Sequence, residues 1–205
     1  MKHTLILLLA IFVTGTLTYI LTPRPYRAHH HANMAVYIDG KMMDFSSSVY
    51  MEETSRCDIT TDIRPEDRIH LHDGKGSLVH VHMAASTWGD LFANISWNIG
   101  NGVLVDPYGQ IRIASGSTSL TYVINGKKVD NAANMVVGST DRLLIWYGTG
   151  TVTEIEAKAE TLIDADAHEY NNKSDPASCS TNTYGWLSPI ALPIMEWIEH
   201  AWEKK

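Results

Sequence analysis

In residues 33–45 the chain reads NMAVYIDGKMMDF, and Met34, Val36 and Ile38 fall on alternate positions. A period of two is the mark of a strand with one face on an apolar core. Asp39-Gly40 directly after it is a type I′ hairpin signal, because both residue types accept a positive φ. Residues 46–67 are polar and irregular, and residues 68–83 (RIHLHDGKGSLVHVHM) read as a second hairpin with its turn in the Gly-rich DGKG segment. Residues 86–98 (STWGDLFANISWN) change to helical spacing, with Trp88, Leu91, Phe92 and Ile95 on one face and Ser86 or Thr87 as N-cap. Short strands are expected at 111–113, 120–124 and 127–129, with Asn125-Gly126 as a turn. Residues 142–147 (RLLIWY) are apolar on both faces, which predicts a central, buried strand. One helix is expected over 151–170, a loop over 171–185, and a short amphipathic helix over 193–205 with Ile194, Trp197, Ile198 and Ala201 as its stripe.

These elements predict an α+β fold: a mixed or antiparallel sheet with a packed helix. From His70 to Tyr147 their order resembles the β-grasp fold, in which a mixed sheet wraps one helix. That fold hosts many functions and identifies none. YIDGKMMD leading to EDRIHLHDG is echoed by VINGKKVD leading to TDRLLIWYG. The echo is either a duplicated hairpin unit or the same turn chemistry used twice.

The N-terminal pattern is different. An uncharged apolar run fills residues 4–21 and is closed by Pro23 and Pro25. Eighteen or so residues is the short end of a membrane-spanning helix, and no small-x-small cleavage site follows. Residues 1–22 are therefore expected to be an uncleaved membrane anchor, with a cleaved signal segment as the competing reading. Residues 23–28 are a stiff linker, and 29–192 an extracytoplasmic β-rich domain. Orientation rests on a weak charge bias, with Lys2 set against Arg24 and Arg27. The expected location is the cell membrane, crossed once. Export in turn predicts that the two cysteines, Cys57 and Cys179, form a structural disulfide.

Charge narrows the classes further. The net charge is −7 and no basic patch is visible, which argues against a nucleic-acid partner. The chain has no Cys-x-x-Cys, no H-E-x-x-H and no nucleophile elbow. What stands out is 10 histidines. Random placement at that frequency gives roughly half an H-x-H pair in such a chain, and this one has three: His29/His31, His70/His72 and His80/His82.

Strand alternation sends each pair away from the aliphatic residues. Opposite Met34, Val36 and Ile38 lie His29 and His31; opposite Ile69 and Leu71 lie His70 and His72; opposite Val79, Val81 and Met83 lie His80 and His82. In the second hairpin only an odd loop keeps histidines facing histidines. A three-residue loop sets His70 against His80, and a five-residue loop sets His72 against His80. Cβ atoms about 5 Å apart then allow two imidazoles to share an ion. His29, His31, His70, His72, His80 and His82 are thus the candidate ligands of a transition metal, copper or zinc. His30 faces the aliphatic side, and His168 and His200 are expected to be solvated or capping residues on helices.

The combined pattern H-x-H-A-N…Y-I-D-G…H-L-H-D…V-H-V-H…T-W-G-D, from His29 to Asp90, resembles a set of uncharacterised exported or membrane-anchored microbial proteins. The resemblance covers about a third of the chain and implies no activity; its common element is the histidine set. Three functions compete. The first is metal binding, buffering or delivery. The second is a metal-free surface interaction module contacting an unknown protein partner through its sheet and through Trp197 or Trp202. The third is a metal-dependent hydrolase using Asp44, Asp73, Glu52 or Glu53 as base, although nothing in the sequence fixes one of these over an ion.

Overall fold

The computed structural model describes residue 4 and residues 11–15, 27–52, 64–162 and 165–173. The anchor segment lies largely outside them, as do Cys57, Cys179, His200 and the expected C-terminal helix. Among the described residues no helix is long and apolar enough to cross a membrane.

The fold is α+β, built on one mixed sheet. Its first strand, β1 (Arg27–Ile38), starts early enough to include His29, His30 and His31. The Asp39-Gly40 turn (φ 49° and 77°) joins it to β2 (Lys41–Met42) with Ile38 opposite Lys41, the two-residue type I′ hairpin that the sequence signals. A single helical turn, α1 (Pro65–Arg68), precedes β3 (Ile69–His70). Arg68 was expected to open that strand. Proline at the start of the turn and the Asp67 carboxylate accepting from the Arg64 backbone N–H hold it helical instead. β4 (Leu78–Met83) pairs antiparallel with β3, and α2 (Trp88–Asn94) follows with the Thr87–Asp90 capping box.

Three short strands, β5 (Asn98–Gly100), β6 (Val103–Val105) and β7 (Ile111–Ile113), make a separate small sheet. All three are only three residues long, and of them only β7, with its Ile-Arg-Ile alternation, was legible. The main sheet resumes with β8 (Ser119–Ile124), β9 (Lys127–Val129) and β10 (Arg142–Gly148). The expected single helix over 151–170 is in fact two, α3 (Val152–Glu160) and α4 (Ala165–Asn171). The break lets Leu162 accept from the Arg142 guanidinium and lets Asn33 Oδ1 receive the backbone N–H of Ala167 inside α4.

The strand order is β3-β4-β1-β10-β8-β9, with β2 on the end of β1. β1 runs parallel to β10 and antiparallel to β4. RLLIWY is thus interior, as expected, with Leu143, Leu144 and Ile145 buried. The centre of the sheet lies N-terminal to the span from His70 to Tyr147, since β1 supplies one of its two middle strands.

Each face of the sheet has its own cover. Ala32, Met34, Val36, Ile69, Leu71, Val79, Val81, Leu143 and Ile145 join Trp88, Leu91 and Phe92 of α2 in the main core. On the other face, Ala35, Val123 and Leu144 pack with Ile155 and Ala159 of α3. Over β1 and β4 that second face is covered by α4 instead.

Gly76, in the β3–β4 loop, sets the height of that loop over the chain at Phe45–Ser46. A Cβ there would meet Phe45 C at 2.5 Å, Ser46 N at 2.6 Å and Phe45 Cα at 2.9 Å, all backbone atoms. Gly76→Ala is therefore expected to lower stability by about 2 kcal/mol through overpacking. Urea unfolding of the metal-free protein would measure it, and an unchanged midpoint would contradict the close approach.

Candidate metal centre

Registers bring the histidines together. His80 of β4 pairs with His31 of β1 on one side and with His70 of β3 on the other. The second pairing is the one a three-residue Gly74-Lys75-Gly76 loop requires. The β1–β4 pairing shifts between Arg27 and His30, and His29 stacks on His82 with ring centroids 5.1 Å apart. His72, just past β3, lies 3.5 Å from His80 by centroid.

All six expected ligands thus occupy one network of ring contacts. Within it, His29, His31 and His80 each present a nitrogen within 4.8 Å of the other two. His31 Nε2 and His80 Nδ1 are 3.0 Å apart. His30 is turned to the other side of β1, where its Nε2 donates to the carbonyl of Val137. His168 is an exposed residue of α4 whose carbonyl accepts from Asn172. Three of the methionines stay out: Met34 and Met83 are buried in the core, and Met42 is exposed beside the turn.

The surroundings fix how the rings present themselves. Asn171, at the end of α4, uses one amide oxygen to accept from both the backbone N–H (2.8 Å) and Nδ1–H (2.7 Å) of His31. A backbone N–H can only donate, so that atom is oxygen, and the His31 proton is on Nδ1. His70 Nδ1 donates to the Glu66 carbonyl at 2.6 Å, and His72 Nδ1 pairs with the Asp73 carboxylate at 3.0 Å. In each of these three rings Nδ1 is engaged by oxygen, which leaves the lone pair on Nε2. Oxygen acceptors behind the imidazole are the support that metal-ligating histidines require. Tyr170 closes the cluster from above, edge-on to both His31 and His80.

Burial sets the charge. His31, His70 and His80 are nearly inaccessible, and His82 is partly buried. Desolvation, only partly offset by the Asn171 hydrogen bond, lowers the His31 pKa to about 4. It pushes His80 and His82 far below the ordinary imidazole range, with neighbouring histidines adding to the effect. His70 is lowered by the same burial, opposed by its bond to Glu66. At neutral pH these rings are neutral and carry lone pairs, the form in which imidazole binds a metal.

The sequence missed Asn171 and Tyr170. Their role depends on α4 returning across the sheet, and no periodicity in residues 165–171 signals that return. The only local hint is Ala167, a small residue that sits fully buried against the sheet.

Lowered histidine pKa values give stability a sign with pH. Below about 6.5 the unfolded chain takes up protons that the folded chain refuses until about pH 4 at His31. Stability of the metal-free protein is therefore full above pH 6.5 and falls as pH drops toward 4, by up to about 1.4 kcal/mol per pH unit for each such histidine. Urea midpoints between pH 7.5 and 4.5 would record the fall, and a flat profile would refute it. Comparison with protein-family models, curated proteins and solved structures found no match, so function is read from the geometry of this site.

Proposed function

We propose that the chain is a transition-metal-binding protein that takes copper or zinc on the histidine face of its sheet, for buffering or delivery. The observation that carries this reading is the His31–His80 pair. Two imidazole nitrogens bound to one ion at about 2.0–2.1 Å lie about 3–3.4 Å apart for ligand angles between 90° and 109°. His31 Nε2 and His80 Nδ1 are already at 3.0 Å, with His29 beside them. Ring centroids agree: His29–His31 at 4.9 Å and His31–His80 at 4.4 Å are close to the about 4.5–5.2 Å of two rings on one ion at those angles.

The donor set supports the class of ion. It is all imidazole, without thiolate, and no carboxylate is among the converging atoms. Hard ions such as Ca²⁺ and Mg²⁺ want oxygen, whereas imidazole suits zinc and copper. The strand order β4-β1-β10-β8-β9, with a parallel central pair and α2 between β4 and β8, supports a β-grasp-like domain spanning Arg27 to Gly148. The apolar run at 4–21 supports a single-pass anchor, and the reading sets this domain on the extracytoplasmic side.

A second reading, a metal-free interaction module, draws on the small sheet. Tyr108 (92% exposed), Ile111 and Ile113 form an apolar group around β7 that no described element covers.

Elemental analysis of the full-length chain, purified without a histidine tag, separates the two. Bound copper or zinc at one equivalent or more is expected, and His31→Ala with His80→Ala should weaken it at least 100-fold while the circular dichroism spectrum is kept. A protein that neither carries nor takes up either ion would leave the interaction module as the reading. Asn171→Ala should weaken binding about 10- to 100-fold, as loss of the oxygen behind a ligating imidazole does. Asn171→Asp should restore it, whereas equal loss in both variants would deny Asn171 this role.

A further inference from the structure

The His29/His31/His80 group leaves three imidazoles unused. His70 and His72 lie on the other side of His80 from His31, and His82, on the same strand as His80, touches both groups, stacking on His70 and on His29. Ring centroids are 5.6 Å for His70–His72 and 4.9 Å for His70–His82. His70 and His72 have their Nδ1 atoms held by oxygen, so each keeps its lone pair on Nε2. None of this is required by a site for a single ion.

His80 connects the two groups. Its Nδ1 faces His31 Nε2. The two nitrogens of an imidazole point in widely different directions, so Nε2 is aimed away from His31. That atom is fully buried and has no hydrogen-bond partner among the described residues. A buried polar atom left without a partner is destabilising. The His70 ring lies nearly parallel to His80, 11° between planes, at 6.1 Å, and His72 is in contact at 3.5 Å. His80 is thus in ring contact with all three unused imidazoles, His82 lying at 6.4 Å by centroid.

Resting on the metal-binding reading, we propose that the face holds two ions: one on His29, His31 and His80, and a second on His70, His72, His82 and the Nε2 of His80, whose imidazole bridges them. Both nitrogens of a bridging ring are donors, so the ring proton of His80 leaves to water as the second ion binds. The Asp73 carboxylate pairs with His72 and offsets part of the added charge. The substrate class is a pair of borderline divalent ions, Cu²⁺ and Zn²⁺ in either combination.

Titration of the full-length, untagged chain with Cu²⁺, followed by native mass spectrometry and electron paramagnetic resonance, tests this. Two ions per chain are expected. The first equivalent should give the spectrum of an isolated Cu²⁺, and the second should reduce the integrated signal to less than half of two spins by coupling through the bridge. His70→Ala, or the milder His72→Ala, should cut the stoichiometry from two to one and leave the isolated spectrum in place. One ion per wild-type chain, or two ions with their full uncoupled signal, would overturn the bridged pair and leave a single-ion site standing. Uptake of no ion would overturn the metal-binding reading itself.

Discussion

The whole site depends on one constraint: a strand sends neighbouring side chains to opposite faces, and antiparallel pairing then fixes which residues meet. With His31 opposite His80 and His80 opposite His70, three strands deliver a transverse row of imidazoles. A slip of one residue in either pairing would set Val79 or Val81 against a histidine and turn half of the ligands into the apolar core. That slip is opposed by the core itself, because Ala32, Val79, Val81, Ile69 and Leu71 are all buried on the far side of the same strands. Packing on one face thus enforces chemistry on the other. His29, His31, His70, His80 and His82 lie on strands and need no loop to hold them, and only His72 lies just past one.

Burial makes this face unusual. A histidine patch on a solvated strand would hydrate its nitrogens and titrate near its ordinary pKa. Here α4 and the neighbouring rings keep water from His31, His70 and His80, and the imidazoles satisfy one another only in part. Neutral rings crowded at 3.5–6.4 Å between centroids gain little from each other, and each lost hydrogen bond costs about 1–3 kcal/mol. A dication accepting those lone pairs reverses the sign of that term.

Much of this was legible in the sequence, and for identifiable reasons. Alternation alone assigned His29, His31, His70, His72, His80 and His82 to a shared face and His30 to the opposite one. The Asp39-Gly40 and Asn125-Gly126 turns were readable because both require positive φ at two positions. The three-residue alternative for the second hairpin gave the observed pairing of His70 with His80, but choosing between three and five residues needed tertiary contacts, among them the approach of Gly76 to Phe45. Non-local facts were out of reach. The parallel pairing of β1 with β10 joins residues over a hundred positions apart, and the helix break after Glu160 follows from Asn33 and Arg142, which lie in other strands. Three-residue strands register only where, as in the Ile-Arg-Ile of β7, apolar and polar residues alternate, and the Val-Leu-Val of β6 does not.

Along β1 the division of labour is complete. Its even positions, Ala32, Met34 and Val36, enter the main core, while its odd positions change character in steps: His29 and His31 at the site, Asn33 as anchor of α4, Ala35 in the second core. Asn33 joins structure to chemistry. By accepting the N–H of Ala167 it fixes α4 one turn before Asn171, and Asn171 in turn fixes the tautomer of His31. The ligand set is thus governed by a helix that contributes no ligand. Its contacts to the site are one amide and one aromatic edge, far less apolar area than α2 buries on the other face.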